Sequence, residues 1–354
     1  PGPLHPRRRR RRRIGVAVAV VALMALATAG ATVVKLPYYA LAPGSAVEVD
    51  PLVMAGAFAA PPSEGRISLL TVRLDQVGLL GAVAGWLDPD VDVVEQRHVL
   101  PRGVEARELA DVNRTEMDAS VQAAVGVAFE ALGYDAVTGR GAAVVQVTAG
   151  SPAGMALAPG DTIVGMDGAG VTTHYDVLSR VAAARPGSTV VLVVEGDGGA
   201  GAGTLQELPV VLDPAPGRPG SAYLGATLAT RERQFNFPFP VEIALDGVGG
   251  PSAGLAFALE VLDALSPGDL TGGRQVAATG TIELDGSVGA VGGVAQKAAA
   301  ARRSGVEVLL VPRPEVDQAR RLEGGGMAVE AVDNLEEALR VLAAYGGDPL
   351  FPAS

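Results

Sequence analysis

An uncharged apolar run near the start, residues 14–34, constrains this 354-residue chain more than any other feature. A helix of that length would span roughly 30 Å, the thickness of the hydrocarbon core of a bilayer. Seven arginines, Arg7–Arg13, come directly before it and favour a cytoplasmic position for the first residues. The pattern predicts a basic cytoplasmic tail over residues 1–13, a single-pass transmembrane helix over residues 14–34, and a cell-membrane protein whose remaining residues are extracytoplasmic.

A cleaved signal peptide is the alternative interpretation of the same run. Residues 27–29, Ala-Thr-Ala, offer small side chains for a cleavage site. Because the apolar run is longer than the usual core of a signal peptide, we favour an uncleaved membrane anchor.

Composition excludes several kinds of site and partner. The sequence contains no cysteine, which excludes disulfides, thiolate nucleophiles and cysteine-based metal sites. It has 39 acidic and 28 basic residues, and seven of the basic ones lie in the arginine run. The rest of the chain is therefore strongly acidic and a poor partner for nucleic acid. We predict no nucleic-acid partner, no metal and no cofactor. An intracellular nucleic-acid-associated protein that uses the arginine run is a weaker rival hypothesis.

Proline and glycine cluster in DPAPGRPG, Asp213–Gly220, which is typical of a linker between domains. Periodicity predicts strands at residues 142–147 and 162–166 and a helix over residues 335–344. We predict a multidomain α+β chain in which the transmembrane helix precedes a β-rich domain and an α/β domain. The boundaries are an N-terminal region over 35–132, the β-rich domain over 133–213, a linker over 214–220, the α/β domain over 221–345 and a tail over 346–354.

The β-rich domain contains SPAGMALAPGDTIVGMDG, residues 151–168. A small-residue helical turn is followed by a Leu-x-x-Gly-Asp turn and by a strand that ends in a glycine turn. This arrangement resembles a PDZ domain. The resemblance implies that an extended peptide adds as a strand beside Ala142–Val147, with peptide-binding residues Gly141, Ala142, Ala143 and Val144. GRGAAV stands where such domains carry Gly-Leu-Gly-Phe, which departs from the pattern for binding a terminal carboxylate. The alternative is a scaffold domain that binds no peptide.

Glycines and a proline lead into Ser252 within GVGGPSAGLAFALEVLDAL, residues 247–265. The pattern predicts an apolar helix that begins at Ser252 or just after it. Free backbone N–H groups and the helix dipole at such a position can stabilise an oxyanion. Serine is also a common N-cap residue, so the segment alone leaves a structural role open.

Lys297 is the second residue that points to chemistry. The sequence has only two lysines, Lys35 and Lys297, and its three histidines all lie outside the α/β domain. A lysine desolvated by alanine, valine and glycine neighbours has a lowered pKa and can act as a general base, which arginine cannot do. A solvated helix lysine is the alternative for Lys297 taken alone.

The parts together carry a second resemblance. Gly-Pro-Ser-Ala-Gly at residues 250–254, Thr279-Gly280, and Gly292-Gly293 followed by Lys297 occur in the order and spacing of the Lon-type serine proteases. The resemblance covers about residues 225–345. It implies Ser252 as the nucleophile, Lys297 as the general base, Thr279 as the residue that orients the lysine, and the backbone of Ser252 and Ala253 as the oxyanion site.

The sequence has no P-loop, because neither lysine follows a glycine as Gly-Lys-Ser/Thr requires. We therefore predict no nucleotide. The whole arrangement resembles a bacterial group of membrane-anchored, PDZ-containing Lon-like proteases that lack the ATPase. It implies an ATP-independent serine endopeptidase that cleaves unfolded or extended segments on the outer side of the membrane, and a homo-oligomer. The alternative is a non-catalytic, membrane-anchored PDZ peptide-binding scaffold.

Overall fold

A computed structural model describes residues 34–56, 60–61, 63–99, 106–196, 203–244 and 250–350, together with Val18 and Met24. The chain divides into two compact units. The first unit comprises residues 1–121, 242–282 and 288–354, and the second comprises residues 122–241 and 283–287.

The helices and strands of the described residues are numbered in chain order. The helices are α1 Leu79–Leu87, α2 Gln96–Val99, α3 Ala106–Ala131, α4 Pro152–Ala156, α5 His174–Ala183, α6 Gly254–Leu265, α7 Val294–Arg303, α8 Val316–Arg320 and α9 Leu335–Ala344. The strands are β1 Lys35–Glu48, β2 Val53–Met54, β3 Arg66–Gly78, β4 Asp92–Glu95, β5 Val137–Thr138, β6 Ala142–Val147, β7 Thr162–Met166, β8 Ala169–Gly170, β9 Thr189–Glu195, β10 Leu205–Val211, β11 Asp213–Ala215, β12 Arg218–Tyr223, β13 Ala226–Thr230, β14 Gln234–Phe235, β15 Glu242–Ile243, β16 Gln275–Ala278, β17 Thr281–Ile282, β18 Val288–Gly289, β19 Val308–Pro312 and β20 Ala328–Val332.

The first unit is built around a mixed sheet of order β20-β19-β16-β3-β1-β4. Neighbours from β20 to β3 run parallel, and β1 pairs antiparallel with β3 and β4. All five residues of β19 are buried, as expected for a continuous apolar run in a parallel sheet covered on both faces. Residues 35–95, in which the sequence shows no chemical motif, thus supply half of this sheet.

Two helices of the first unit matter for the site. Helix α6 is apolar on nearly all of its faces, and its residues 254–263 are buried, as expected for a helix without a polar face. Helix α7 is rich in alanine and packs against β1 and β3. Its small side chains allow close approach to the sheet, which buries the middle of the helix.

The second unit has an antiparallel sheet of order β10-β9-β7-β6-β13. Its turn before β7 follows from the sequence, because Gly160 has a φ of 98° that favours glycine and the Asp161 carboxylate accepts the Ala158 N–H at 2.8 Å. Helix α5 begins in a capping box formed by Thr173 and Asp176. Strands β11 and β12 form a hairpin that contains most of the predicted linker at residues 214–220.

The structure contradicts the predicted transmembrane helix. Among the described residues, no helix has both the length and the apolar character needed to cross a bilayer. Helix α3 has 26 residues but carries many charged side chains, whereas the apolar helix α6 has only 12. The predicted fold class, which included a transmembrane helix, and the predicted single-pass location at the cell membrane are corrected on this finding. Of residues 1–34, all but Val18, Met24 and Val34 lie outside the described residues.

Candidate active site

Ser252 lies in a short 3-10 turn, Pro251–Ala253, directly before α6. Gly250, which precedes the turn, has a φ of 88° and so adopts a backbone conformation that favours glycine. Proline then fixes the next φ and cannot donate a hydrogen bond, which suits the first position of a helical turn. The Gly-Pro-Ser sequence therefore places Ser252 at the N-terminal end of an apolar helix, as its pattern predicts.

The backbone on both sides of Ser252 is anchored. The Ser252 carbonyl accepts hydrogen bonds from the Gly280 N–H at 3.0 Å and from Thr279 Oγ1 at 3.2 Å. The Leu255 N–H donates to the Gly280 carbonyl at 3.1 Å, and Ser120 Oγ donates to the Pro251 carbonyl at 3.0 Å. These hydrogen bonds fix the backbone around Ser252, and none of them uses the Ser252 hydroxyl.

Lys297 lies on the inner face of α7 and is only 3% exposed. Its Nζ donates to Thr279 Oγ1 at 3.0 Å, and Thr279 is itself fully buried. Thr279 follows β16 directly, so the end of a central strand presents its hydroxyl between the lysine and the Ser252 carbonyl. The fold therefore brings Ser252, Thr279 and Lys297 together from three separate segments of the chain.

The electrostatics of the site are set by burial. Desolvation lowers the pKa of Lys297 from 10.5 to about 8, and the charge of Glu315 opposes this by raising the pKa. The neutral amine is therefore a minor form of Lys297 at neutral pH and reaches half of the population at about pH 8. Lys297 reaches the Ser252 backbone through Thr279, so its amine lies near the serine and has the lowered pKa that a general base needs.

The sequence analysis predicted that four residues bind a peptide strand: Gly141, Ala142, Ala143 and Val144. Three of them lie on β6, and β6 has a neighbour on each side: β7 along one edge and β13 along the other. A peptide strand cannot add beside β6 because β13 of the same chain already pairs there. We correct the expected position accordingly: β13 is the strand at the end of this sheet.

Two polar contacts at the site escaped the sequence analysis. Ser120, on α3, holds the carbonyl that precedes Ser252, and Glu315 accepts the Val291 N–H at 2.8 Å. Both contacts join segments that are far apart in sequence, and no local pattern marks either residue. Among the described residues, no three or more His, Cys, Asp or Glu side chains lie together in a group that could hold a metal ion.

Comparison with known proteins identifies both segments. Residues 246–344 match the Lon protease (S16) C-terminal proteolytic domain, and residues 123–200 match a PDZ domain. A Lon protease of Clostridioides difficile (strain 630) is 35% identical over 102 residues, which are 28% of this chain and 13% of the relative. Lon protease 2 of Bacillus subtilis (strain 168) is 39% identical over 103 residues, covering 28% of this chain and 17% of the relative.

The chain thus spans less than a fifth of the length of these relatives. Among solved structures, the PDZ domain of the SdrC-like protein from Listeria innocua aligns with 25% of this chain and 92% of its own, at 20% identity and a TM-score of 0.22. The chain carries a Lon-type proteolytic domain and a PDZ domain.

Proposed function

We propose that this chain is a serine endopeptidase of the Lon type in which Ser252 is the nucleophile and Lys297 the general base. One observation carries the proposal: a lysine that is 3% exposed donates at 3.0 Å to Thr279, and Thr279 donates to the carbonyl of Ser252. Burial of an ammonium is costly, and its effect on Lys297 outweighs the opposing charge of Glu315, so a lysine in this place favours a role for its neutral form.

The proposed reaction proceeds in two halves. Neutral Lys297 accepts the proton of the Ser252 hydroxyl while the oxygen attacks the peptide carbonyl and forms a tetrahedral intermediate. Backbone N–H groups of Ser252 and Ala253 hold the oxyanion, and each such donor is worth about 3 kcal/mol. The lysine ammonium then protonates the departing amine, leaving an acyl-enzyme. Water, deprotonated by the same lysine, attacks the acyl carbonyl; the bond to Ser252 then breaks, and the lysine ammonium returns its proton to the serine oxygen as the carboxyl product leaves.

We propose unfolded or extended protein segments as the substrate, cleaved without ATP. The sequence has no P-loop to bind a nucleotide, and without an ATP-driven unfolding step the substrates within reach are segments that are already unfolded or extended. The test incubates the purified chain with a permanently unfolded protein in the absence of nucleotide and maps the products by mass spectrometry. A serine-reactive phosphonate should block cleavage and label Ser252. Peptide binding without any cleavage would favour the scaffold alternative.

Activity is expected to rise with pH up to about 8 and to level off above it, because only neutral Lys297 can accept the serine proton and burial sets the pKa of Lys297 to about 8. The measurement is kcat/KM on a fluorogenic peptide from about pH 6 to about pH 10, with an expected slope of tenfold per pH unit on the acid side. A flat profile across this range would argue against lysine as the base.

We further propose that the PDZ domain takes an extended peptide along β13, between that strand and α5. Strand β13 is at the end of its sheet, so its outer backbone groups can pair with a peptide. His174 of α5 lies against β13, with Nδ1 2.7 Å from Thr230 Oγ1. Leu178 is four residues further along and so on the same helix face, and it is 43% exposed.

Leu178→Glu is expected to weaken peptide binding at least about tenfold, because a charge replaces an apolar contact beside the peptide. Fluorescence anisotropy with labelled peptides, measured in a Ser252→Ala background, gives the affinity without cleavage. Ser179→Glu is the matched control, since Ser179 is exposed on a different face of α5. Equal affinity of the Leu178 variant and the control would contradict this placement.

A further inference from the structure

Glu315 lies where the buried strand β19 ends. It closes the 3-10 turn Arg313–Glu315, and Val316, the next residue, is buried. Its Oε2 accepts the Val291 N–H at 2.8 Å in a partly buried hydrogen bond. This hydrogen bond places the carboxylate beside the loop that precedes α7, while the buried residues on both sides of the turn hold its backbone.

Val291 in turn lies just before the helix that carries the lysine. Gly293 precedes α7 with a φ of 69°, so the chain reverses sharply there in a conformation that favours glycine. The Gly293 carbonyl accepts the Lys297 N–H at 2.9 Å. The position of the Val291 amide therefore constrains the first turn of α7 and, through it, the Lys297 side chain.

Glu315 also acts on Lys297 through its charge, which opposes the effect of burial on the lysine. The other described charged groups on α7 and on the elements packed against it are directed elsewhere or lie exposed at the surface. Glu48 pairs with Arg66, Arg73 with Asp75, and Arg302 and Arg303 with Asp90; Lys35 donates to the Gln76 carbonyl, and Asp317 and Arg320 are exposed. Asp92 accepts a hydrogen bond from the Gln296 side-chain amide at 2.9 Å. Arg313 is engaged by Asp333 and Glu337.

We propose that Glu315 is a positioning residue for Lys297: its carboxylate fixes the loop that begins α7 and provides the negative charge that stabilises the ammonium formed when Lys297 takes the serine proton. This inference rests on the proposed function. The two roles are separable, because a glutamine at position 315 keeps an oxygen to accept the Val291 N–H and removes the charge. An alanine there removes both.

The first experiment measures the pKa of Lys297 by NMR titration and does not depend on catalysis. The chain has only two lysines, so selective isotope labelling gives two side-chain NMR signals, with the exposed Lys35 as an internal reference. Glu315→Gln is expected to lower the pKa of Lys297 by roughly half a unit or more, since an opposite charge is removed, and to leave Lys35 unchanged. Glu323→Gln is the matched control, because Glu323 also accepts a backbone N–H, that of Val329.

The second experiment measures kcat and kcat/KM of the full chain as a function of pH. Glu315→Gln is expected to move the acid limb of the pH profile to lower pH and to raise kcat/KM near pH 7 by at most about threefold, the equivalent of half a pH unit. Loss of structure alone would lower activity near pH 7 instead. On the plateau above about pH 8 the same variant is expected to be slower than the wild-type chain, because its lysine is a weaker base and its ammonium is less stabilised. Glu315→Ala is expected to lower kcat about tenfold at every pH, because the loop loses its anchor.

An unchanged Lys297 titration in Glu315→Gln, or full activity of Glu315→Ala on its pH plateau, would overturn the proposal. These results differ from failure of the proposed function, in which the wild-type chain cleaves no peptide although Lys297 still responds to position 315 in the NMR titration.

Discussion

Ser252→Ala is expected to abolish cleavage of an unfolded protein, with kcat falling by about 10⁴-fold to 10⁶-fold, as when a nucleophile is removed from a serine protease. The alanine has no oxygen to attack the peptide carbonyl, so no acyl-enzyme forms. The fold should survive because the turn is anchored through the Ser252 carbonyl, which Gly280 and Thr279 hold, and the hydroxyl takes no part in that anchoring.

The measurement compares single-turnover cleavage by the wild-type chain and the variant, with thermal unfolding as the test of the fold. Ser304→Ala is a suitable control, because Ser304 is exposed at the end of α7. Cleavage by Ser252→Ala at the wild-type rate, with the same products, would contradict the assignment of Ser252 as the nucleophile.

Lys297→Arg is expected to lower kcat by at least about 10³-fold while peptide binding is retained, because a guanidinium stays charged and cannot accept the serine proton. Lys297→Met should have a similar effect, since it keeps the length of the side chain without a basic nitrogen. The methionine variant is also expected to be at least as stable as the wild-type chain, because an apolar group replaces a buried amine.

Lys35→Arg is the matched control, since Lys35 is the only other lysine in the sequence and donates to a carbonyl at the edge of β3. Steady-state kinetics and peptide anisotropy on the same three proteins separate catalysis from binding. If Lys297→Arg cleaved peptides as fast as Lys35→Arg, the scaffold alternative would be the better explanation of the buried lysine.

Much of the local structure could be predicted from the sequence because local chemistry determines it. Strands β6 and β7 and helix α9 have the predicted bounds, since short runs rich in β-branched residues and a clear helical period mark them. The turn before Ser252 needs a positive φ at Gly250, and that requirement is visible in the sequence as Gly-Pro.

The long-range pairings could not be predicted in this way. Strand β16 pairs in parallel with β3, which lies about two hundred residues earlier in the chain. The sequence of neither strand indicates which strand it pairs with. The contact between Glu315 and the Val291 amide is of the same kind. The transmembrane prediction is a separate case: it rested on the length and apolar character of residues 14–34 and on the arginines before them, and no helix among the described residues is long and apolar enough to cross a membrane.

The sheet of the first unit has a consequence for how the chain can be divided into fragments. Most of the second unit, residues 122–241, interrupts the sequence of the first compact unit, whose earlier part supplies β1, β3 and β4. The match to the Lon proteolytic domain begins only at residue 246. A recombinant fragment cut at that boundary would leave β16 with an open apolar edge, which is a known route to aggregation. Insolubility of such a fragment would therefore reflect missing strands and give no information about the catalytic residues.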